Sequence, residues 1–265
     1  MFKCVVYLFN LGISCHRGQV LERAAGLTFR VLLAFFPFIV FLMALLGYLN
    51  LDEDAVLSGL YLVLPGDISE LVAGFVYELT ATRSGGLLSA ALFFSVYNTT
   101  NGFRAIMRCV NISYGVQDRR GIVKQVWLSF VLMLLFSAAL VVMLGVLVFG
   151  RHIWALFFPG TNELLITLSA GGIAMILLII TTTLIYSLAC AKKLPVRFVL
   201  PGAVFTVTAW TVTTGFFGFV TQNFTQYPAI YGSIAGVFIL ILWLNIISVI
   251  LLIGNEANAV LADYF

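Results

Sequence analysis

The sequence predicts an all-α fold, a polytopic membrane helical bundle with six transmembrane helices and an external amphipathic helical hairpin. Three observations predict it. Of 265 residues, 62% are hydrophobic and only 9% are charged, against roughly 25% charged in an ordinary soluble domain. The apolar residues gather in runs close to the ~20 residues that a helix needs to cross a bilayer. The basic residues gather in alternate links between those runs, as they do in proteins whose loops alternate between two sides of a membrane. No polar stretch is long enough to fold as a separate soluble catalytic domain, so residues 1–265 form a single transmembrane domain.

The N-terminal segment, residues 1–26, does not read as a cleavable signal peptide: MFKCVVYLFNLG leads into polar CHRGQVLERAAG without a small-residue cleavage pattern. Phe2, Val5, Val6 and Phe9 give it a partly apolar face. A helix on the membrane surface is one reading; a disordered or buried tail is the other.

The first span covers about residues 27–49 and contains Pro37, where a kink is expected because proline removes a helix hydrogen bond. The second, about residues 85–104, carries Tyr97, Asn98, Thr99, Thr100 and Asn101 in its second half, and those polar groups should face protein rather than lipid. The third, about residues 126–149, is almost continuously apolar between Lys124 and Arg151. The remaining spans cover about residues 164–189, 198–219 and 233–253. An even number of spans returns both termini to one side.

Twelve of the fourteen Lys and Arg residues fall in the N-terminal segment, the link after the second span and the link after the fourth, or at the span ends that border them, as Arg30 and Arg104 do. The opposite links hold only Arg83 and Arg151, while six acids crowd residues 50–84. Basic residues are retained on the cytoplasmic side, so both termini are expected in the cytoplasm of a bacterial cell with the chain in the inner membrane. The net charge of +3 is small and its separation large, which argues for membrane orientation and against a nucleic-acid partner.

Residues 50–84 are more than a loop. Val56, Leu60, Val63 and Leu64, then Ile68, Leu71, Val72, Phe75, Val76 and Leu79, recur at helical intervals on either side of Pro65 and Gly66. Asp67 and Glu70 are placed to cap the second helix. The pair either covers the mouth of the bundle or rests on lipid headgroups.

Cys4, Cys15, Cys109 and Cys190 all lie in or near cytoplasmic segments under this topology, which predicts free thiols. His16 and His152 fall on opposite sides. No metal and no cofactor are expected, since the sequence has no H-E-x-x-H, phosphate-binding loop or dinucleotide-binding glycine pattern.

Three segments resemble the YihY or BrkB family of bacterial inner-membrane proteins. They are LTFRVLLAFFPFIVFLMALLGYL with Pro37; the stretch with Asn98, Gly102, Arg104, Ala105 and an Asn-x-x-Tyr-Gly pattern at Asn111, Tyr114 and Gly115; and the C-terminal region. That last region matches at Pro201, Gly202, Tyr227, Tyr231, Gly232, Trp243, Gly254, Glu256 and Asn258. The sequence departs from the pattern at Phe29 and Arg30, which place a charge at the start of the first span. The resemblance implies that a ribonuclease label once attached to the family is a misattribution. The residues agree: RNA hydrolysis needs a carboxylate-held metal or a paired acid and base, and Glu22, Asp118, Glu256 and Asp263 form no local pair. No enzymatic activity is expected.

Asn101, Arg104, Arg108 and Asn111 recur at spacings of three and four and line one helix face. The expected partner of Arg104 or Arg108 is Glu256, because pairing lowers the cost of removing either charge from water. Such a pair either clasps two helices or belongs to a site for an anionic solute or lipid headgroup. Asn98, Asn101, Arg104 and Arg108, with Tyr227 and Tyr231 at the far mouth and Glu256, are the candidate binding residues. Pro37, Pro201, Gly202, Gly232 and Gly236 are structural candidates, the last two permitting close helix packing. Two classes of function follow: transport or translocation of a lipid or anionic solute, and a noncatalytic scaffold or envelope-assembly protein. Membrane lipids are the expected partners, anionic ones among them. A homodimer is a further candidate, because six spans without an internal duplication do not suit a repeat-built transporter in a monomer.

Overall fold

The apolar runs fold as helices. The computed structural model describes residues 2–48, 64, 68–74, 85–157, 163–223 and 233–263, and none of these lies in a strand. Seven long helices follow one another: α1 (Phe2–Arg17), α2 (Val20–Tyr48), α3 (Gly85–Ser113), α4 (Ile122–Phe157), α5 (Glu163–Ala189), α6 (Val196–Asn223) and α7 (Ser233–Asp263). Within α2, α4, α5, α6 and α7 lie stretches long and apolar enough to cross a membrane. A spanning segment must satisfy its backbone hydrogen bonds internally, which a helix does. Their outward residues, such as Leu168, Ile176, Phe216, Phe219, Phe238 and Leu242, are large, apolar and exposed, a surface suited to lipid.

Helices α2 to α7 close into a ring in chain order, each packing on the next and α7 returning to α2; α3 leans inward and also meets α5 and α7. Neighbours run antiparallel where side chains fix the register. Trp210 donates its indole N–H to Ile247 O at 3.1 Å, and Trp243 reaches Thr214 Oγ1 at 3.4 Å. Gly102 sits so close to α2 that an added Cβ would lie 3.1 Å from the Ala34 Cβ.

Several helices outrun the apolar stretches that predicted them, because a helix continues until something stops it. Helix α3 extends nine residues past its expected end and stops at Ser113. Gly115 then takes a left-handed φ of 60°, and the Gly115 and Val116 amides donate to the Ile112 and Asn111 carbonyls. Helix α6 starts directly after Pro195, whose carbonyl accepts from Phe198 N. Helix α2 runs through Pro37 from Val20 to Tyr48 as one helix.

Two buried clusters divide the interior. One fills the end of the bundle that α1 covers, with Leu27, Met107, Val110, Leu132, Tyr186 and Leu252. The other lies at the far end with Ile39, Leu42, Leu144, Leu240, Trp243 and Leu244, and it includes Ile68 and Val72 from the short helical stretch 68–74. Ile68 and Val72 are almost wholly buried, so this stretch packs into the bundle rather than resting on its surface. Gly236 makes room for it: a Cβ there would meet Leu71 Cδ1 at 3.0 Å. The companion helix expected around Val56, Leu60 and Val63, with Pro65, Gly66 and Asp67, lies outside the described residues.

The N-terminal segment is helical. It docks on α7 through Tyr7 and Ser14, while Phe9 stays 68% exposed.

Candidate functional site

Helices α6 and α7 cross with their backbones in contact. A Cβ on Gly202 would fall 2.1 Å from Gly254 O, and one on Gly254 would fall 2.0 Å from Thr206 Oγ1, so neither position has room for a side chain. The crossing is locked by polar groups. Asn258 Oδ1 accepts from Gly202 N at 2.7 Å, and its Nδ2 donates to Val199 O at 2.8 Å. Pro201, which has no N–H to donate, lies between those two positions. From α5, Tyr186 donates its hydroxyl to Leu251 O at 2.7 Å and meets Thr206 Oγ1 at 2.9 Å.

The residues between Gly254 and Asn258 reach three other helices. Successive helical residues point about 100° apart, so a short run sweeps the whole circumference. Asn255 Nδ2 contacts Val110 O of α3 at 3.5 Å. Glu256, 2% exposed, accepts from Arg23 of α2 through Oε1 and from Ser14 of α1 through Oε2 at 2.9 Å. Tyr7 of α1 donates to Ala257 O at 2.9 Å. Arg23 also reaches Ser113 Oγ at 3.3 Å and Cys109 O at 3.5 Å. Every strongly polar side chain in this run therefore serves a contact between helices, as buried polar groups must.

A second clasp closes the end of α5. Asn111 donates to Ala189 O at 3.1 Å and accepts from Ala191 N at 2.7 Å. Arg120 donates to Leu188 O and Ala189 O, offering a cation to the negative end of the helix dipole. Asp118 holds Arg120 with two side-chain hydrogen bonds of 2.7 and 2.9 Å. Those bonds hold the Asp118 carboxyl below its ordinary range.

The expected pairing of Glu256 with Arg104 or Arg108 is corrected by this geometry: its partner is Arg23. Helix α2 packs directly against α7 and carries Arg23 to Glu256, whereas Arg104 and Arg108 project from the other side of α3. Arg104 is half-buried and Arg108 exposed. Asn98 is satisfied within its own helix by Phe94 O at 2.9 Å. Asn101, Arg104 and Arg108 make no hydrogen bond or ion pair among the described residues. Tyr227, Tyr231 and Gly232 lie outside the described residues.

Sequence reasoning missed Arg23, Ser14 and Asn255. In the sequence Arg23 counts only as one of the basic residues of the N-terminal segment, whereas in the fold it lies in the first turn of α2, one turn ahead of the buried Leu27. Cys15, Cys109 and Cys190 are free; the Cys4 side chain lies outside the described residues.

The family described as virulence factor BrkB matches residues 14–265. The chain is 34% identical over 253 residues to the ribonuclease-like protein YfkH of Bacillus subtilis, covering 94% of this chain and 91% of the relative. It is 24% identical over 258 residues to a UPF0761 membrane protein of Alkalilimnicola ehrlichii, covering 94% of this chain but 56% of that longer protein. A UPF0761 membrane protein of Pasteurella multocida is 34% identical over 82 residues, 31% of this chain and 26% of the relative. No solved structure matches the chain.

Proposed function

The chain belongs to the BrkB virulence factor family, and from that premise we propose that this membrane protein binds and translocates a lipid or an anionic solute in the bacterial inner membrane, with both termini cytoplasmic. The observation that carries the reading is the contrast between two sets of polar residues. Those of the Gly254–Asn258 run are tied to neighbouring helices. Asn101, Arg104 and Arg108 on α3 are tied to nothing among the described residues, which leaves them available to a ligand. A charged headgroup cannot enter hydrocarbon without replacement contacts, and these are groups that can supply them. The orientation is supported by the basic links, which favour the cytoplasm.

The alternative, a noncatalytic scaffold, is favoured by the same clasp: a bundle whose end is locked by Asn258, Tyr186 and Glu256 is built for rigidity. Reconstitution into liposomes with labelled phospholipid and a panel of anions separates the two. Translocation or flux above empty liposomes, reduced by Arg104→Gln, supports transport; none under gradients of either sign supports the scaffold.

We propose no nuclease activity. Asp118 is engaged by Arg120 and Glu256 by Arg23, so neither carboxylate is free to serve as a general base. Purified protein incubated with RNA and a divalent metal should leave the RNA intact.

A further inference from the structure

We propose that Arg30, Arg104 and Arg108 together bind the phosphate of an anionic glycerophospholipid on the outer, lipid-facing surface of α2 and α3. The α2–α3 register brings the three together. Gly102 lies opposite Ala34, and Arg23 reaches Cys109 and Ser113. Between these fixed points the antiparallel pair places Arg30 level with the turn that separates Arg104 from Arg108. The mutual repulsion that Arg108 feels from Arg30 and Arg104 agrees with that placement.

Among the described residues no carboxylate forms an ion pair with the cluster. Of the acids at this end of the bundle, Glu256 is paired with Arg23 and Asp118 with Arg120, and Asp263, at the end of α7, makes no ion pair with the cluster among the described residues. Glu22, eight residues before Arg30 on α2, stands roughly 12 Å away along the helix axis. Like charges on one face repel, and an anion between them relieves that repulsion, the more so where water is scarce.

The surroundings identify the anion as a lipid rather than a free solute. On α2 the arginine is flanked by Phe29, 63% exposed, and Leu33, 55% exposed. On α3 the outward face runs from Phe93 and Tyr97 through Asn101 to Arg104 and Arg108, and then returns to an exposed apolar residue, Ile112. The guanidinium groups thus sit within an apolar outward surface, with greasy residues on both sides along α3. A phosphodiester fits their planar donor forks, and acyl chains fit the surface of Leu33, Phe93 and Tyr97. Anionic lipids are attracted to basic groups at this depth.

The inference rests on the reading above only for the anionic character of the ligand, since a lipid can be held here without being moved. Native mass spectrometry of the purified full chain tests it, with phosphatidylglycerol and phosphatidylcholine offered in equal amounts. The intact protein should retain phosphatidylglycerol about tenfold better, the scale of lost charge-assisted hydrogen bonds. R30Q/R104Q/R108Q should bring the ratio close to one, while K192Q/K193Q, which removes exposed charge outside the patch, should leave it unchanged. Should the triple variant fail to fold, R30Q alone removes an exposed side chain and should lower the preference several-fold. Equal retention of both lipids by the intact protein, an unchanged ratio in a folded R30Q/R104Q/R108Q variant, or displacement of the lipid by millimolar inorganic phosphate would overturn the site. Failure of liposome translocation with the lipid preference intact would overturn the transport reading alone.

Discussion

Arg23 and Glu256, 233 residues apart in the chain, are joined by an ion pair in which the carboxylate is almost fully buried and the guanidinium 12% exposed. The pair brings α2 to α7, and Ser14 on the free carboxylate oxygen adds α1. Breaking one partner of a buried pair leaves the other uncompensated, at about 3–5 kcal/mol. Glu256→Gln and Arg23→Gln should each lower the melting temperature in detergent markedly. The double variant should lose clearly less than the two single losses together, because both remove one interaction. Additive losses would show that the two residues act apart. Glu256→Gln should also weaken the hold on α1, read as faster proteolysis near Arg17.

The Gly202 and Gly254 crossing leaves no space for a methyl group. Gly254→Ala would drive a Cβ into Thr206 Oγ1 and close to Gly202 O; backbone cannot yield as a side-chain tip does. Overpacking usually costs about 1–3 kcal/mol, and here the cost should reach or exceed the upper value. Gly145→Ala, with nothing within 4 Å of the new Cβ, should be neutral or slightly stabilising through helix propensity. Melting curves of the two variants compare the positions directly, and equal stability would refute the crossing.

How much of this was legible in the sequence depends on the range of the signal. Apolar runs of bilayer length gave α2, α4, α5, α6 and α7, because the demand that backbone groups be satisfied in lipid is local and needs no tertiary knowledge. The helical period of Ile68, Leu71 and Val72 announced a helix, but not that Ile68 and Val72 would be buried against Trp243 and Leu244. Glu256 stood out as a charge in an apolar helix that needed a cation. Which arginine served it could not be read, since the choice depends on helix packing order: α2 packs on α7 and presents Arg23 there, while α3 presents its Arg104 and Arg108 outward. Asn258 was visible as part of a pattern, and its two backbone bonds astride Pro201 became visible only with α6 and α7 in contact.

The Asp118 and Arg120 pair carries a pH dependence of definite sign. Arg120 holds the Asp118 carboxyl below its unfolded value, so the pair's contribution is complete above the ordinary carboxylate pKa of about 4 and is lost as pH falls through the lowered folded value. The stability difference between the intact protein and Asp118→Asn should therefore be constant from neutral pH down to about 5 and shrink below about 4. Both residues are partly accessible to solvent, so the difference should be modest. A gap that widened in acid would contradict the linkage.

Orientation is testable without knowing the function. A version lacking the four native cysteines would carry one new cysteine, either Asp67→Cys before the helical stretch 68–74 or Arg119→Cys beside the Arg120 clasp. Arg119 is exposed and lies among the basic residues that should remain in the cytoplasm. A membrane-impermeant maleimide added to whole cells should label position 67 and spare position 119, and inverted vesicles should give the reverse. Residues 68–74 and Arg120 lie at opposite ends of the bundle: residues 68–74 pack with Trp243 and Leu244, and Arg120 packs against the end of α5 near Asn111. Labelling of both from the same side would break the correspondence between bundle ends and membrane faces. Labelling of position 119 alone from outside would preserve that correspondence and invert the protein, placing the Arg30, Arg104 and Arg108 cluster in the outer leaflet of the inner membrane.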